Sequence, residues 1–238
     1  MEDVLFKYMN YRFRSKAENA SLIPDLPRKD DGPVITVSRE TGCSGNPFVK
    51  DLCNFLNNLN FDSKHPQKWQ WVNKEIIYET ANELEVHPKR VYKLFRGEPR
   101  KLMDEIVESL SARYYINDRQ VTKAVREIVK RFAAQGRVII LGRGGVGLTR
   151  HIKKSLHIKL YAPKEWRIDQ IAKKLELSHK EAKAFVERTD KTRNHLIEKF
   201  TDVECSNDAF DLAFNTMSMK SYEIFNAISG ALKAKEIQ

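Results

Sequence analysis

The spacing of apolar residues changes repeatedly along this chain, and each change predicts an element. Val34 to Val37 is a run of β-branched residues of strand length, bounded by Pro33 and by a glycine-bearing loop. Behind that loop Phe48, Leu52, Phe55, Leu56 and Leu59 recur at i, i+4, i+7, i+8 and i+11, the stripe of an amphipathic helix. Trp69 to Val72 predicts a short strand. Three helical stretches are expected next, the first around Ile76, Ile77 and Leu84, the second from Pro88 to Phe95, the third around Leu102, Ile106, Leu110 and Tyr114. Asp118 suits the N-cap of a further helix carrying Val121, Val125, Ile128 and Phe132, with Gly136 just past its end. Val138 to Leu141 (VIIL) reads as a strand buried on both faces, and Leu156 to Tyr161 alternates as another. Pro163 suits the first position of a helix with Ile168, Ile171 and Leu175. Ser178 and Glu181 have capping-box spacing, which starts a long helix to about Phe200. Phe210 to Phe214 predicts the last strand. Ser218 or Ser221 then caps a terminal helix with Phe225, Ile228 and Leu232 on one face.

Strands alternating with helices predict an α/β fold with a parallel sheet, in which ligands sit beyond the carboxyl ends of the strands. The loops to inspect are therefore 38–46, 142–149, 162–164 and 215–218. Residues 1–14 carry Val4, Leu5, Tyr8 and Met9 at helical spacing, and a connector with Pro24, Pro27 and Pro33 follows. This divides the chain into an appendage, 1–32, and a domain, 33–238, with a helix-rich insertion at about 74–135. The appendage is free to dock on the domain or on a second copy, which would make an oligomer.

Composition narrows the class. The 238 residues are 41% hydrophobic and 31% charged, enough apolar surface for a core. The longest apolar run, Val138 to Leu141, is far short of the ~20 residues of a membrane span, and Lys7, Arg12 and Arg14 interrupt any leader-like apolar stretch. Cys43, Cys53 and Cys205 form no C-x-x-C, which argues against a disulfide framework or zinc ribbon and for a cytoplasmic protein. The six histidines show no metal-ligand spacing, so no structural metal is expected. Forty-two Lys and Arg against 32 Asp and Glu give a net charge of +10, which favours polyanionic partners: phosphorylated metabolites or nucleic acid. The basic residues are spread rather than massed, so a nucleic-acid-binding protein is the third reading, on charge alone.

Three loops carry candidate chemistry. In Ser38-Arg39-Glu40-Thr41-Gly42-Cys43-Ser44-Gly45-Asn46, small residues let successive N–H groups point inward, and the next helix adds its free N–H groups and positive dipole end. Such a corner suits phosphate. The Walker lysine is missing, with Asn46 and Pro47 where Lys and Ser/Thr would stand; the plainer reading is a turn capped by Asn46 with Pro47 first in the helix. Gly142-Arg143-Gly144-Gly145 follows the buried strand, where an arginine can reach a phosphate in bidentate geometry or simply occupy a surface turn. Arg188, Asp190 and Arg193 lie together on the long helix, either as a clamp over a polyphosphate or as a solvated ion pair.

Taken in order, these pieces resemble the cytidylate-kinase-like family, relatives of bacterial cytidylate kinase among the nucleoside monophosphate kinases. The resemblance runs from about Pro33 to the C-terminus. It rests on Ile35-Thr36-Val37-Ser38-Arg39-Glu40-Thr41-Gly42, Asn73-Lys74-Glu75-Ile76-Ile77 and Val138-Ile139-Ile140-Leu141-Gly142-Arg143-Gly144. Further matches are Tyr161-Ala162-Pro163 with Arg167, Thr189-Asp190-Lys191 with Arg193, and Asp211-Leu212 with Asn215-Thr216.

The resemblance implies a three-layer P-loop kinase-like α/β fold: a five-stranded parallel sheet, a helical monophosphate-binding insertion and a lid at about 186–204. It also implies phosphoryl transfer from ATP, with Mg²⁺, to CMP or a similar pyrimidine monophosphate. Ser38, Gly42, Cys43, Ser44, Gly45 and Asn46 would then hold the donor phosphates, with Arg39 as a cation there. Arg143 and Asn73 would serve the acceptor, and Arg188, Asp190 and Arg193 would form the lid. Ser44, Asn46 and Asn73 replace the family's usual glycine, arginine and aspartate. Those departures keep open a catalytically degenerate nucleotide-binding or regulatory protein of the same fold.

Overall fold

The computed structural model describes residues 32–59, 68–73, 118–142, 144–201 and 207–237. The expected appendage, the helices expected between 74 and 117, and Arg143 lie outside the described residues.

Five strands, β1 (Val34–Arg39), β2 (Gln70–Val72), β3 (Val138–Leu141), β4 (Ser155–Tyr161) and β5 (Leu212–Asn215), form one sheet in the order β2-β3-β1-β4-β5. Every neighbouring pair is parallel. The two β-branched and apolar runs take the middle: Val34 aligns with Val138 on one side and with Ser155 on the other. Strands buried on both faces need apolar side chains throughout, and β1 and β3 supply them.

On one face, Ile35, Val37, Ile139 and Ile158 meet α1 (Gly45–Asn58) through Phe48, Leu52 and Leu56, and the terminal helix (Ser221–Ala234) through Ile224, Phe225 and Ile228. The Phe225 ring lies 5.2 Å from that of Phe48 and 5.5 Å from that of Phe55, joining the two helices directly. Each such side chain stabilises by about 1.5–3 kcal/mol on burial. On the other face, α2 (Asp118–Gln135) and the short α3 (Gly145–Thr149) pack on β3 and β1, where Ile128, Val129 and Phe132 are fully buried. α4 (Lys164–Leu175) and α5 (His179–Thr201) follow β4 and pack on each other through Ile168, Ile171, Ala182 and Val186. This is the three-layer α/β arrangement implied by the resemblance. Among the described residues no helix is long and apolar enough to cross a membrane.

Several boundaries differ from those expected, each for a local reason. β1 runs on through Ser38 and Arg39, because their backbones pair with Lys159 and Leu160 whatever their side chains. Ser44, not Asn46, precedes the first residue of α1, so Pro47 stands third in the helix. The first turn has no intrahelical acceptor for an N–H, which lets proline sit there. Pro163 occupies the N-cap of α4 rather than its first helical position. The last strand starts later than Phe210, because Asn207–Ala209 form a 3₁₀ turn and Asp211 bonds β4 first. Asp211 N–H donates to His157 O at 2.8 Å, and the Asp211 carboxylate accepts from His157 N–H at 2.7 Å. The terminal helix, named α6 here, begins at Ser221 after Lys220, whose N–H donates to Glu223 at 2.7 Å. The Ser178–Glu181 box forms, with Ser178 Oγ donating to Glu181 at 2.6 Å.

Candidate active site

The corner between β1 and α1 opens on a cavity of about 330 Å³ beyond the carboxyl end of β1. Its floor is the loop: Arg39, Gly42, Cys43, Ser44, Gly45 and Asn46 all line it. Gly45 and Asn46 open α1, so their N–H groups lie in the turn that no intrahelical carbonyl can reach. No acidic residue stands in that turn and Ser44 makes no side-chain cap, so the helix end keeps its positive dipole.

The loop keeps its shape through a network of charges behind it. Glu40, Thr41, Arg167 of α4, and Asp190 and Arg193 of α5 form this network. The Asp190 Oδ1 oxygen accepts from both the N–H and the hydroxyl of Thr41, each at 2.7 Å. Arg167 Nη1 donates to Asp190 Oδ2 at 2.6 Å and to the Thr41 carbonyl at 3.0 Å. Arg167 Nε lies 3.0 Å from Glu40 Oε2 and donates to the Ala162 carbonyl at 3.0 Å. Arg193 Nη1 donates to the Thr41 hydroxyl at 3.0 Å and to the Arg39 carbonyl at 3.2 Å. Arg167 is thus a buried cation flanked by two carboxylates, the condition under which a buried charge is tolerated. Burial pulls the Arg193 guanidinium below its ordinary value and the Asp190 carboxylate pulls it back up; an arginine keeps its charge at neutral pH in either case.

Gly42 is required by this packing. Its φ is +102°, and an added Cβ would lie 2.9 Å from the Cβ and carbonyl oxygen of Arg167. Cys43 is buried at the cavity edge, and burial pushes its thiol up, partly offset by a hydrogen bond with Thr216. The Thr216 turn after β5 therefore borders the loop. Arg39 crosses from this loop to the one after β3: its stem lies beside Gly45, and a side chain at Gly142 would strike its guanidinium.

Of the residues singled out from the sequence, the structure gathers Arg39, Gly42, Cys43, Ser44, Gly45, Asn46 and Arg193 at one cavity. Asp190 stands behind the loop, with both carboxylate oxygens turned to Thr41 and Arg167 rather than to the cavity. Ser38 is buried within β1, and Asn73 is buried just past β2; neither lines the cavity. Arg188 is exposed on α5, away from the lining. Arg143 lies outside the described residues.

Glu40, Thr41, Arg167, Gln170 and Lys174 also stand at the site, though the sequence alone assigns them no role. Glu40, Thr41 and Arg167 belong to the family-like motifs and were legible there as matches without roles. Gln170 and Lys174 also line the cavity, and no motif marks them, because they reach it only through the adjacency of β4 to β1.

Magnesium binds oxygen, keeps several waters and takes much of the rest of its shell from substrate phosphates. Among the described residues no group of three or more His, Cys, Asp or Glu could hold a metal ion, and both carboxylates of the corner are engaged by Arg167. The exposed Ser44 hydroxyl is the loop oxygen suited to such an ion. The donor set fits an ion carried in on phosphates.

The model of the cytidylate kinase-like family matches residues 34–218. No curated protein matches the chain significantly. Among solved structures, an uncharacterized protein from Eubacterium ventriosum is similar with a TM-score of 0.60 at 13% identity, over 87% of this chain and 99% of that one. TT1252 from Thermus thermophilus is similar with a TM-score of 0.45 at 15% identity, over 87% and 98% of the two chains. Dephospho-CoA kinase from Campylobacter jejuni is similar with a TM-score of 0.37 at 13% identity, over 86% and 97%.

Proposed function

The chain belongs to the cytidylate kinase-like family, and from that premise we propose that it is a nucleoside monophosphate kinase, transferring a phosphoryl group from ATP to CMP or a similar pyrimidine monophosphate in the cytoplasm. The observation that carries this reading is the cavity at the β1–α1 corner, bounded by an uncapped helix start and by Arg39 and Arg193.

In this reading the backbone N–H groups of Gly42, Ser44, Gly45 and Asn46 hold the donor phosphates, while that of Cys43 donates to the Glu40 carbonyl. Arg193, fixed by Thr41, and Arg39, lying between the two loops, balance the charge that develops on the transferred group. Asp190 positions the loop and Arg193 rather than touching substrate. Arg143 and Asn73 serve the acceptor, and Arg188 belongs to the lid segment that covers the bound donor. Mg²⁺ would arrive with the phosphates and screen their charge, with Ser44 as the chain's oxygen. Water exclusion then strengthens each arginine contact, and no covalent nucleophile is needed.

A coupled assay of the purified protein with ATP and CMP, dCMP, UMP or AMP tests this. Turnover is expected, fastest with a pyrimidine acceptor; no turnover with any of the four removes the activity. Asn46 and Pro47, where a loop cation is usual, favour one second reading, a nucleotide-binding regulator without catalysis. Calorimetric ATP binding without turnover would be its signature.

A further inference from the structure

We propose that Lys174 of α4 supplies the ammonium contact to the donor's polyphosphate that the loop itself lacks; this rests on the kinase reading above and names a residue for the same cavity. Arg167, Gln170, Ile171 and Lys174 recur at helical spacing on one face of α4. The first of them is fixed behind the loop, touching Gly42 and bonded to Thr41. At about 1.5 Å of rise per residue, the same face carries Gln170 and then Lys174 along the cavity, which both line.

The charges facing the cavity make it a site for an anion. Among the described residues, Arg39, Lys174 and Arg193 are the cations of its lining and Glu40 is the one acidic residue. The Glu40 carboxylate is already matched by Arg167 at 3.0 Å. Arg193 is held to Thr41 and to the Arg39 carbonyl. Lys174, by contrast, makes no hydrogen bond or ion pair with any described residue. A lysine is a point charge on a flexible four-carbon stem, suited to follow phosphates rather than to fix a geometry.

Lys173 provides an internal control. Both lysines stand in the last turn of α4, where either complements the helix dipole, but only Lys174 lines the cavity. The experiment titrates inorganic tripolyphosphate into wild type, Lys174→Ala, Lys174→Arg and Lys173→Ala by calorimetry, with thermal melts run alongside and the CMP assay run on wild type. Lys174→Ala is expected to weaken binding about tenfold or more, Lys174→Arg and Lys173→Ala to stay within about threefold, and all melts to agree. Equal affinities for Lys174→Ala and Lys173→Ala overturn the proposal. Wild type that phosphorylates CMP but ignores tripolyphosphate also overturns it, while leaving the kinase reading intact. Wild type that neither binds nor turns over removes both.

Discussion

His157 lies on β4 in the buried face of the sheet, where a polar ring needs both nitrogens satisfied. Ser155 Oγ spends its hydrogen on the Ile152 carbonyl at 2.7 Å, so it must accept from His157 Nε2–H at 3.1 Å. Nδ1 is then bare and accepts the Thr36 hydroxyl at 2.8 Å, which fixes a neutral tautomer. Burial pulls the imidazole down from 6.5 to about 4; Asp211 opposes this, and Lys235 and Arg150 add to it. With the folded value depressed, the unfolded chain binds the extra proton first. The stability that neutral His157 contributes is therefore whole above pH 6.5, declines as pH falls toward 4, and is absent below. The loss is on the order of 3 kcal/mol. Urea midpoints at pH 7 and pH 4.5 should fall steeply for wild type and much less for His157→Gln. Equal falls would mean that other groups set the acid limit. The alternation of Leu156 to Tyr161 was legible in the sequence, but not the burial of His157, since that depends on partners from β1 and the end of the chain.

At the scale of elements, α5 holds the phosphate loop in place. Asp190 accepts the Thr41 N–H and neutralises Arg167, while Arg193 donates to the Thr41 hydroxyl oxygen. Removing one partner of a part-buried ion network costs about 3 kcal/mol. Asp190→Ala should therefore lower the denaturation midpoint and also weaken ATP binding at least tenfold. Asp190→Asn keeps an acceptor for Thr41 but removes the charge beside Arg167 and turns an NH₂ donor toward it, so it should also lose about 3 kcal/mol. Calorimetry and melts on the two variants check this; stability loss with unchanged ATP affinity in Asp190→Ala would separate α5 from the loop's function. The spacing of Arg188, Asp190 and Arg193 was readable, but their directions were not. Helical neighbours share a face only roughly, and the docking of α5 on α4 decides which of them meets the loop.

For the whole molecule, the sheet was the most legible feature. VITV and VIIL are runs that can be satisfied only between other strands, and they occupy two of the three inner positions, beside β4 and β2. The loop after β1 was legible for the same reason, since small residues between a buried strand and an amphipathic helix leave few conformations. What the sequence withheld came from strand adjacency. β4 lies beside β1 in space though far along the chain, and only that neighbourhood brings Glu40, Arg167 and Lys174 to one corner. The positive balance of 42 basic against 32 acidic residues has its local expression there, in three cations facing one cavity.

In the proposed kinase, polyphosphate rests against main-chain N–H groups at that corner. The most direct measurement is an amide-resolved NMR titration of ¹⁵N-labelled protein with ATP and Mg²⁺. The largest shifts should fall on Gly42, Ser44, Gly45 and Asn46, with Arg193 following, and should saturate together. Shifts that gather elsewhere on the chain, or a loop that stays unmoved while ATP binds, would contradict it.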